Sequence, residues 1–308
     1  MTASIAEALR AATETLRSRA PALGTPDTDA EELLSRLLGV TRAQLRLRRQ
    51  RSLGADDAKR MAEWLERRVA GEPVQYITGR AAFRDLDLAV DGRVLIPRPE
   101  TEGLVECVLR ALEAESRRWP HPRVLDLGTG SGAIALAIAS ECPRAIVTAT
   151  DVSLPALAVA RVNARALRLD QRVRFFEGHW FSAVGADDRF EVVVSNPPYV
   201  SAAERETLPR DVRDHEPHQA LFSGVTGLEA LIDIVDDAPR HLVTGGLLAL
   251  ELAETRAREV AAWFDGAHDW SEVELRDDLS GQPRVLLARR ERGPAIAPQQ
   301  WSEEPPLR

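Results

Sequence analysis

The sequence predicts an α/β fold: a doubly wound, mostly parallel sheet of seven strands, preceded by a small helical domain and a β-hairpin. Three observations carry this expectation. Apolar residues recur at helical spacing over roughly the first 70 positions. The period then shortens to two around residues 86–90. From residue 99 onward, short apolar runs alternate with amphipathic stretches, as buried strands joined by covering helices do. This alternation is Rossmann-like, and such sheets take ligands at the carboxyl ends of their strands.

In chain order, Ile5, Ala8, Leu9, Ala12 and Leu16 share one helical face. Thr28 and Glu31 have capping-box spacing ahead of the stripe Ala30, Leu33, Leu34, Leu37 and Leu38. Ala58, Met61, Trp64 and Leu65 form a third stripe. These faces must bury against one another, so residues 1–72 are expected to form an N-terminal helical domain. Residues 73–98 are expected to be a hairpin connection, with Leu86, Leu88 and Val90 outbound, Asp91-Gly92 as the turn and Val94-Leu95-Ile96 returning. Pro99 suits the first position of the following helix. Residues 99–290 then hold the seven strands, at 124–127, 145–150, 173–176, 190–194, 247–252, 273–275 and 285–288. Leu228, Leu231, Ile232 and Val235 mark one of the intervening helices. Residues 291–308, rich in Pro, Gln and Glu and without a period, are expected to form a disordered tail.

Bulk properties narrow the function. The 308 residues carry a formal net charge of −8, which disfavours direct binding to duplex nucleic acid. The only cysteines, Cys107 and Cys142, are far apart, so neither a disulfide framework nor a zinc site is expected, and a cytoplasmic location fits. The charged N-terminus lacks a signal core, and no apolar run is long enough to span a membrane. A monomer is expected. His121, His215, His218 and His241 lack metal-ligand spacing and read as surface or loop residues. Arg42, Arg46, Arg48, Arg49 and Arg51 form a basic cluster that reads as a solvated face, with the capacity to steer an acidic partner.

Two segments carry chemistry. Asp126-Leu127-Gly128-Thr129-Gly130-Ser131-Gly132 runs from a strand into a helix. Its G-x-G-x-G spacing differs from the dinucleotide fingerprint and suits a nucleoside ligand without a pyrophosphate. Asp126 can face a positive group, and Asp151, 19 residues beyond Gly132 at the end of the next strand, can accept from ribose hydroxyls. The strand at 190–194 leads into Ser195-Asn196-Pro197-Pro198-Tyr199. The side-chain carbonyl of Asn196 and the backbone carbonyl of Pro197 can accept both hydrogens of an NH2 group, while Tyr199 flanks the plane that bears it. Two such acceptors raise electron density on a poorly nucleophilic amide nitrogen and orient it, so positioning and electrostatics replace a strong base.

These segments resemble the amino-methyltransferases that act on planar NH2 groups. Gly71-Glu72-Pro73-Val74-Gln75-Tyr76-Ile77-Thr78-Gly79, then Phe83, then Leu95-Ile96-Pro97-Arg98-Pro99-Glu100-Thr101-Glu102, resemble the PrmC/HemK family of peptide chain release factor N5-glutamine methyltransferases, over about residues 28–290. Asp211-Val212-Arg213, Glu216-Pro217, Ala220-Leu221, Asp278-Leu279-Ser280-Gly281 and Arg284 also match. The resemblance implies a class I methyltransferase fold, S-adenosyl-L-methionine as cofactor and a substrate-recognition role for the helical domain. It implies methyl transfer to the glutamine of the Gly-Gly-Gln motif in class I release factors, in support of translation termination. By matching position, Asp126, Gly128, Thr129, Gly130, Ser131, Gly132, Asp151, Trp180 and Asn196 would hold the cofactor. Phe83, Asn196, Pro197, Pro198 and Tyr199 would frame the substrate, with Asn196, Pro197 and Tyr199 catalytic. The chain departs from the family pattern at His179, where an acid is usual, and at Ala253 and Arg256, where glycine and glutamine are usual. Two other readings stay open: an adenine exocyclic-amino methyltransferase acting on nucleic acid, and a catalytically silent adaptor that binds S-adenosylmethionine.

Overall fold

The computed structural model describes residues 3–291, so the tail expected over 291–308 lies, beyond Glu291, outside the described residues. The chain divides into two compact units. The first comprises Met1–Ala81, Val90–Gly92 and Glu206–Glu216; the second comprises Ala82–Ala89, Arg93–Arg205 and Pro217–Arg308.

The first unit holds α1 (Ile5–Arg19), α2 (Pro26–Leu37), α3 (Arg42–Leu47), α4 (Ala55–Val69) and α5 (Val74–Thr78). Leu16, Leu33, Leu34, Leu45, Met61 and Ile77 make its core, as the helical stripes require. The Thr28 capping box does not form. α2 starts three residues earlier, with Thr25 at the cap position, because Pro26 supplies the right φ and has no N–H to satisfy, which places Thr28 inside the helix. Capping boxes form instead at Ser4 with Glu7 and at Thr41 with Gln44. The basic cluster is partly neutralised within the unit: Arg42 pairs with Glu32 at 3.1 Å and Arg46 with Glu31 at 3.4 Å.

The second unit begins in the hairpin β1 (Arg80–Phe83) and β2 (Leu86–Ala89). The expected hairpin through Asp91-Gly92 is corrected: the turn is Arg84-Asp85, and residues 94–96 form no strand. Arg84 takes a positive φ of 50° that a glycine would normally supply. Tertiary contacts hold it there. Its N–H donates to Glu102 Oε1 at 2.8 Å, and its guanidinium reaches Glu141 at 2.6 Å and Glu106 at 3.2 Å.

The chain continues through α6 (Pro99–Ala114), β3 (Arg123–Leu127), α7 (Ala133–Glu141), β4 (Ile146–Asp151), α8 (Leu154–Ala166), β5 (Val173–Glu177) and β6 (Phe190–Ser195). Next come α9 (Arg210–His215), which belongs to the first unit, then α10 (His218–Leu221), α11 (Glu229–His241), β7 (Leu242–Glu251), α12 (Ala257–Ala262), β8 (Trp270–Asp277) and β9 (Pro283–Arg290). The strand order is β5-β4-β3-β6-β7-β9-β8, parallel except for β9, which runs antiparallel to both of its neighbours. The seven-stranded, mostly parallel sheet is therefore as expected. Alternate residues of one strand feed opposite cores: Val124 packs with Leu104 and Ile138, whereas Leu125 packs with Leu231 and Leu248. His241, expected at the surface, is buried and stacks on Phe181 at 4.6 Å, because the last turn of α11 packs inward. Among the described residues no helix is long and apolar enough to cross a membrane.

Within the first unit, Arg68 is nearly buried, with its side chain 4% exposed, and joins α2 and α4 through Asp29 at 2.7 Å, with Asp211 of α9 at 3.6 Å. Replacing Asp29 with Ala leaves that guanidinium under-paired. The expected loss of stability is about 3 kcal/mol, read as a lower midpoint in urea denaturation; an unchanged midpoint would contradict the pairing.

Candidate active site

The site grows from the register of three parallel strands. Leu127 lies opposite Thr150 of β4 on one side and Ser195 of β6 on the other. The strand ends are cross-tied. Ser195 Oγ donates to the Leu127 carbonyl at 2.7 Å, and the Thr129 N–H donates to the Thr150 carbonyl at 2.9 Å. The loop after β3 leaves the sheet through Gly128 at φ 70° and enters α7 through Gly132 at φ 85°. A side chain at Gly132 would press on Leu136 at 3.0 Å, and one at Gly128 would meet the Trp180 ring at 3.4 Å.

Asp151 ends β4 and fastens this loop. Its Oδ2 accepts the Gly130 N–H and its Oδ1 the Ser153 N–H, both at 2.8 Å. Each oxygen retains a lone pair for a further donor. Asp126 sits beneath, fully buried. Its Oδ2 accepts from Thr129 Oγ1 at 2.6 Å and from the Ala135 N–H at 3.2 Å, while Oδ1 has no partner. Burial pushes its carboxyl up to about 7.

A cleft of about 330 Å³ opens over these strand ends, wholly within the second unit. Of the residues expected from sequence, Gly128, Gly130, Asp151, Trp180, Asn196 and Pro198 line it. Asp126, Thr129, Ser131 and Gly132 do not; Asp126, Thr129 and Ser131 are buried behind the loop. Pro197 and Tyr199 also lie off the cleft, and burial raises the pKa of the Tyr199 phenol. Phe83, expected as a wall of the substrate side, has no exposed surface and packs with Leu88 and Leu104 in the core. Trp180 takes a positive φ of 47°, and its indole Nε1 is buried without a partner. His179 meets that ring edge-on at 5.2 Å and also lines the cleft.

Sequence reasoning missed the acidic far wall. Glu229 and Asp233, one turn apart on α11, line the cleft. Glu229 Oε1 accepts the Val225 and Thr226 N–H groups at 2.8 and 2.9 Å, and its Oε2 is buried and unpartnered. Leu228, Leu231, Ile232 and Val235 announce that helix, but nothing local says where its polar face points. Sequence reasoning also missed the support behind Asn196. Its Nδ2 donates to Thr101 Oγ1 at 3.1 Å. The Thr101 hydroxyl in turn bonds to Glu251, which is 1% exposed. Burial, offset by that bond, pushes the Glu251 carboxyl up to about 7.

The chain is similar to known proteins over most of its length. Residues 7–79 match the PrmC N-terminal domain, and residues 105–211 match the methyltransferase small domain. The release factor glutamine methyltransferase of Deinococcus radiodurans is 42% identical over 269 residues, covering 87% of this chain and 93% of that protein. That of Koribacter versatilis is 41% identical over 266 residues, covering 86% and 92%. Among solved structures, the hMettl16 catalytic domain in complex with a 3'UTR hairpin shares the fold, with a TM-score of 0.51 at 14% identity, over 80% of this chain and 84% of that one.

The raised carboxyls give a pH signature. Asp126 keeps its proton up to about 7 in the fold but loses it near its ordinary value of 3.8 when unfolded. The folded state therefore binds more protons between these values, and stability falls as pH rises through that window. Melting temperature should rise on acidification from pH 8 to pH 5, and Asp126→Asn should shrink that rise. An equal rise in the variant would show that Asp126 is not the group responsible.

Proposed function

The chain belongs to the release factor glutamine methyltransferases, and from that membership we propose how its own residues carry out the reaction. The enzyme is S-adenosylmethionine-dependent and methylates a release factor glutamine on its side-chain amide nitrogen. The finer reading is that the target is the Gly-Gly-Gln glutamine of class I release factors, that the helical first unit recognises that protein, and that the enzyme works as a cytoplasmic monomer.

The cleft fits the cofactor. Gly128 presents bare backbone, and Trp180 offers an aromatic face beside it. Asp151 holds free lone pairs for hydroxyl donors. Asp151, Glu229 and Asp233 together suit a ligand that carries positive charge. Asp126, Thr129, Ser131 and Gly132 would act from behind, by fixing the loop. S-adenosylmethionine, when bound, supplies an electrophilic methyl group. The chain supplies position and polarisation. Asn196 Oδ1 and the Pro197 carbonyl would accept the two hydrogens of the glutamine amide, raising electron density on nitrogen and aiming its lone pair. Pro198 lines the cleft beside Asn196, and Tyr199 would flank the carboxamide plane. Pro197 is buried, and a hydrogen bond to a carbonyl shielded from water is stronger than one in solvent. The observation that carries this reading is Asn196 on the wall of an acidic cleft with its NH2 already engaged by Thr101.

Incubation with isotope-labelled S-adenosylmethionine and a class I release factor should place one methyl on the Gly-Gly-Gln glutamine by mass spectrometry. Label on RNA, or on a release factor whose Gly-Gly-Gln glutamine is replaced, would overturn the assignment. Asn196→Ala should lower kcat by about 100-fold or more, while the cofactor Kd changes by less than about 5-fold. A comparable loss of cofactor affinity would move Asn196 from the chemistry to cofactor binding.

A further inference from the structure

We propose that Glu251 is a positioning residue: acting through Thr101, it dictates which end of the Asn196 carboxamide faces the cleft. This rests on the reading of Asn196 given above and deepens it. A carboxamide has a donor end and an acceptor end of nearly equal shape, and catalysis needs the acceptor toward the substrate amide. Nothing in the shape of the side chain selects between the two.

The selection comes from counting protons. Thr101 lies in the first turn of α6, 4% exposed. Its hydroxyl has one proton, which goes to Glu251 at the end of β7. A carboxylate only accepts, so this direction is forced while Glu251 is ionised. The Thr101 oxygen is then available only as an acceptor, and Asn196 must turn its NH2 toward it, as observed at 3.1 Å. Oδ1 is left for the cleft. Thr101 belongs to the Arg98-Pro99-Glu100-Thr101-Glu102 stretch singled out in the sequence, and neighbouring Glu102 holds the Arg84 turn.

The relay has a condition. When Glu251 takes up a proton it becomes a donor, Thr101 is freed to donate to Asn196, and the carboxamide loses its imposed sense. The charges that face Glu251 are Arg284 of β9 and Arg98 and Glu100 around the start of α6. The Tyr199 phenol also feels Glu251, and Arg284 is itself near Asp278 at 3.5 Å and Glu254 at 3.7 Å. With Glu251 pushed up to about 7, the switch falls between pH 6 and pH 8.

The test uses the full chain and two readouts. The first needs no substrate: the side-chain amide NMR signal of Asn196, identified by its loss in Asn196→Ala. It should shift between pH 6 and pH 8 in the parent protein and stay fixed in Glu251→Gln, which cannot titrate. The second is kinetic. Thr101→Val should lower kcat by about 30-fold with KM and cofactor Kd within about 3-fold, and Thr101→Ser, which keeps the hydroxyl, should restore most of the loss. The parent kcat should fall on acidification through the Glu251 transition, and Glu251→Gln should abolish that limb. A pH-independent Asn196 signal in the parent, a normal kcat in Thr101→Val, or an acid limb that survives in Glu251→Gln would each overturn the proposal. Parent protein that shows the NMR shift but methylates no release factor would instead fault the assigned reaction and leave the relay standing.

Discussion

The site depends on the parallel register in which β3 lies between β4 and β6. Leu127, Thr150 and Ser195 finish abreast, so the glycine loop, Asp151 and Asn196 emerge at one edge of the sheet. A one-residue slip of β6 would turn its side chains to the opposite face and carry Asn196 away from Gly128. The hydrogen bonds from Ser195 to Leu127 and from Gly130 to Asp151 lock this register at the position where it matters for chemistry. Residues 108–112 and 133–139 then pack from one face, and 231–238 from the other, so the edge is held by the whole core of the second unit.

On that frame the protein concentrates acids: Asp126 and Glu251 are buried, and Glu229 is half-buried. Asp126, Glu229 and Glu251 each carry an oxygen with no hydrogen-bond partner, an arrangement that weakens a fold. Asp126 and Glu251 are both held far above the ordinary carboxyl range by burial. Such strain gathers where function requires it. Asp126 braces the glycine loop through Thr129 and Ala135. Glu229 braces the loop at 225–226 while facing the cleft. Glu251 reaches Asn196 through Thr101. In each case the acid organises a loop or a side chain through hydrogen bonds to its own fold.

Two of the departures from the family pattern, His179 and Arg256, become intelligible in the same terms. His179 is exposed, meets Trp180 edge-on and lines the cleft, so it sits where an acid would add one more negative charge to a wall already supplied by Asp151, Glu229 and Asp233. Arg256, where glutamine is usual, reaches the Thr226 carbonyl at 3.4 Å and Glu259 at 3.1 Å. It therefore steadies the same loop that positions Glu229. Neither substitution alters Asn196, Pro197 or their immediate supports.

The sequence by itself determined the strands, their alternation with helices, the glycine loop, Asp151 and the Asn196-Pro197-Pro198-Tyr199 segment, because each is written in local periodicity or in residues whose backbone constraints are strong. It misplaced the hairpin turn, since Arg84-Asp85 carries no turn signature and Arg84 keeps its positive φ only through Glu102, Glu141 and Glu106. It placed the α2 cap at Thr28, where Pro26 had already begun the helix. It assigned Phe83 to a wall that the packing of β1 puts in the core. Tertiary structure alone decided that Glu229 and Asp233 face the cleft and that Thr101 and Glu251 stand behind Asn196. Those residues lie 33, 37, 95 and 55 positions from Asn196 in the chain, and hydrogen bonds between such distant segments exist only once the sheet has brought its strand ends together.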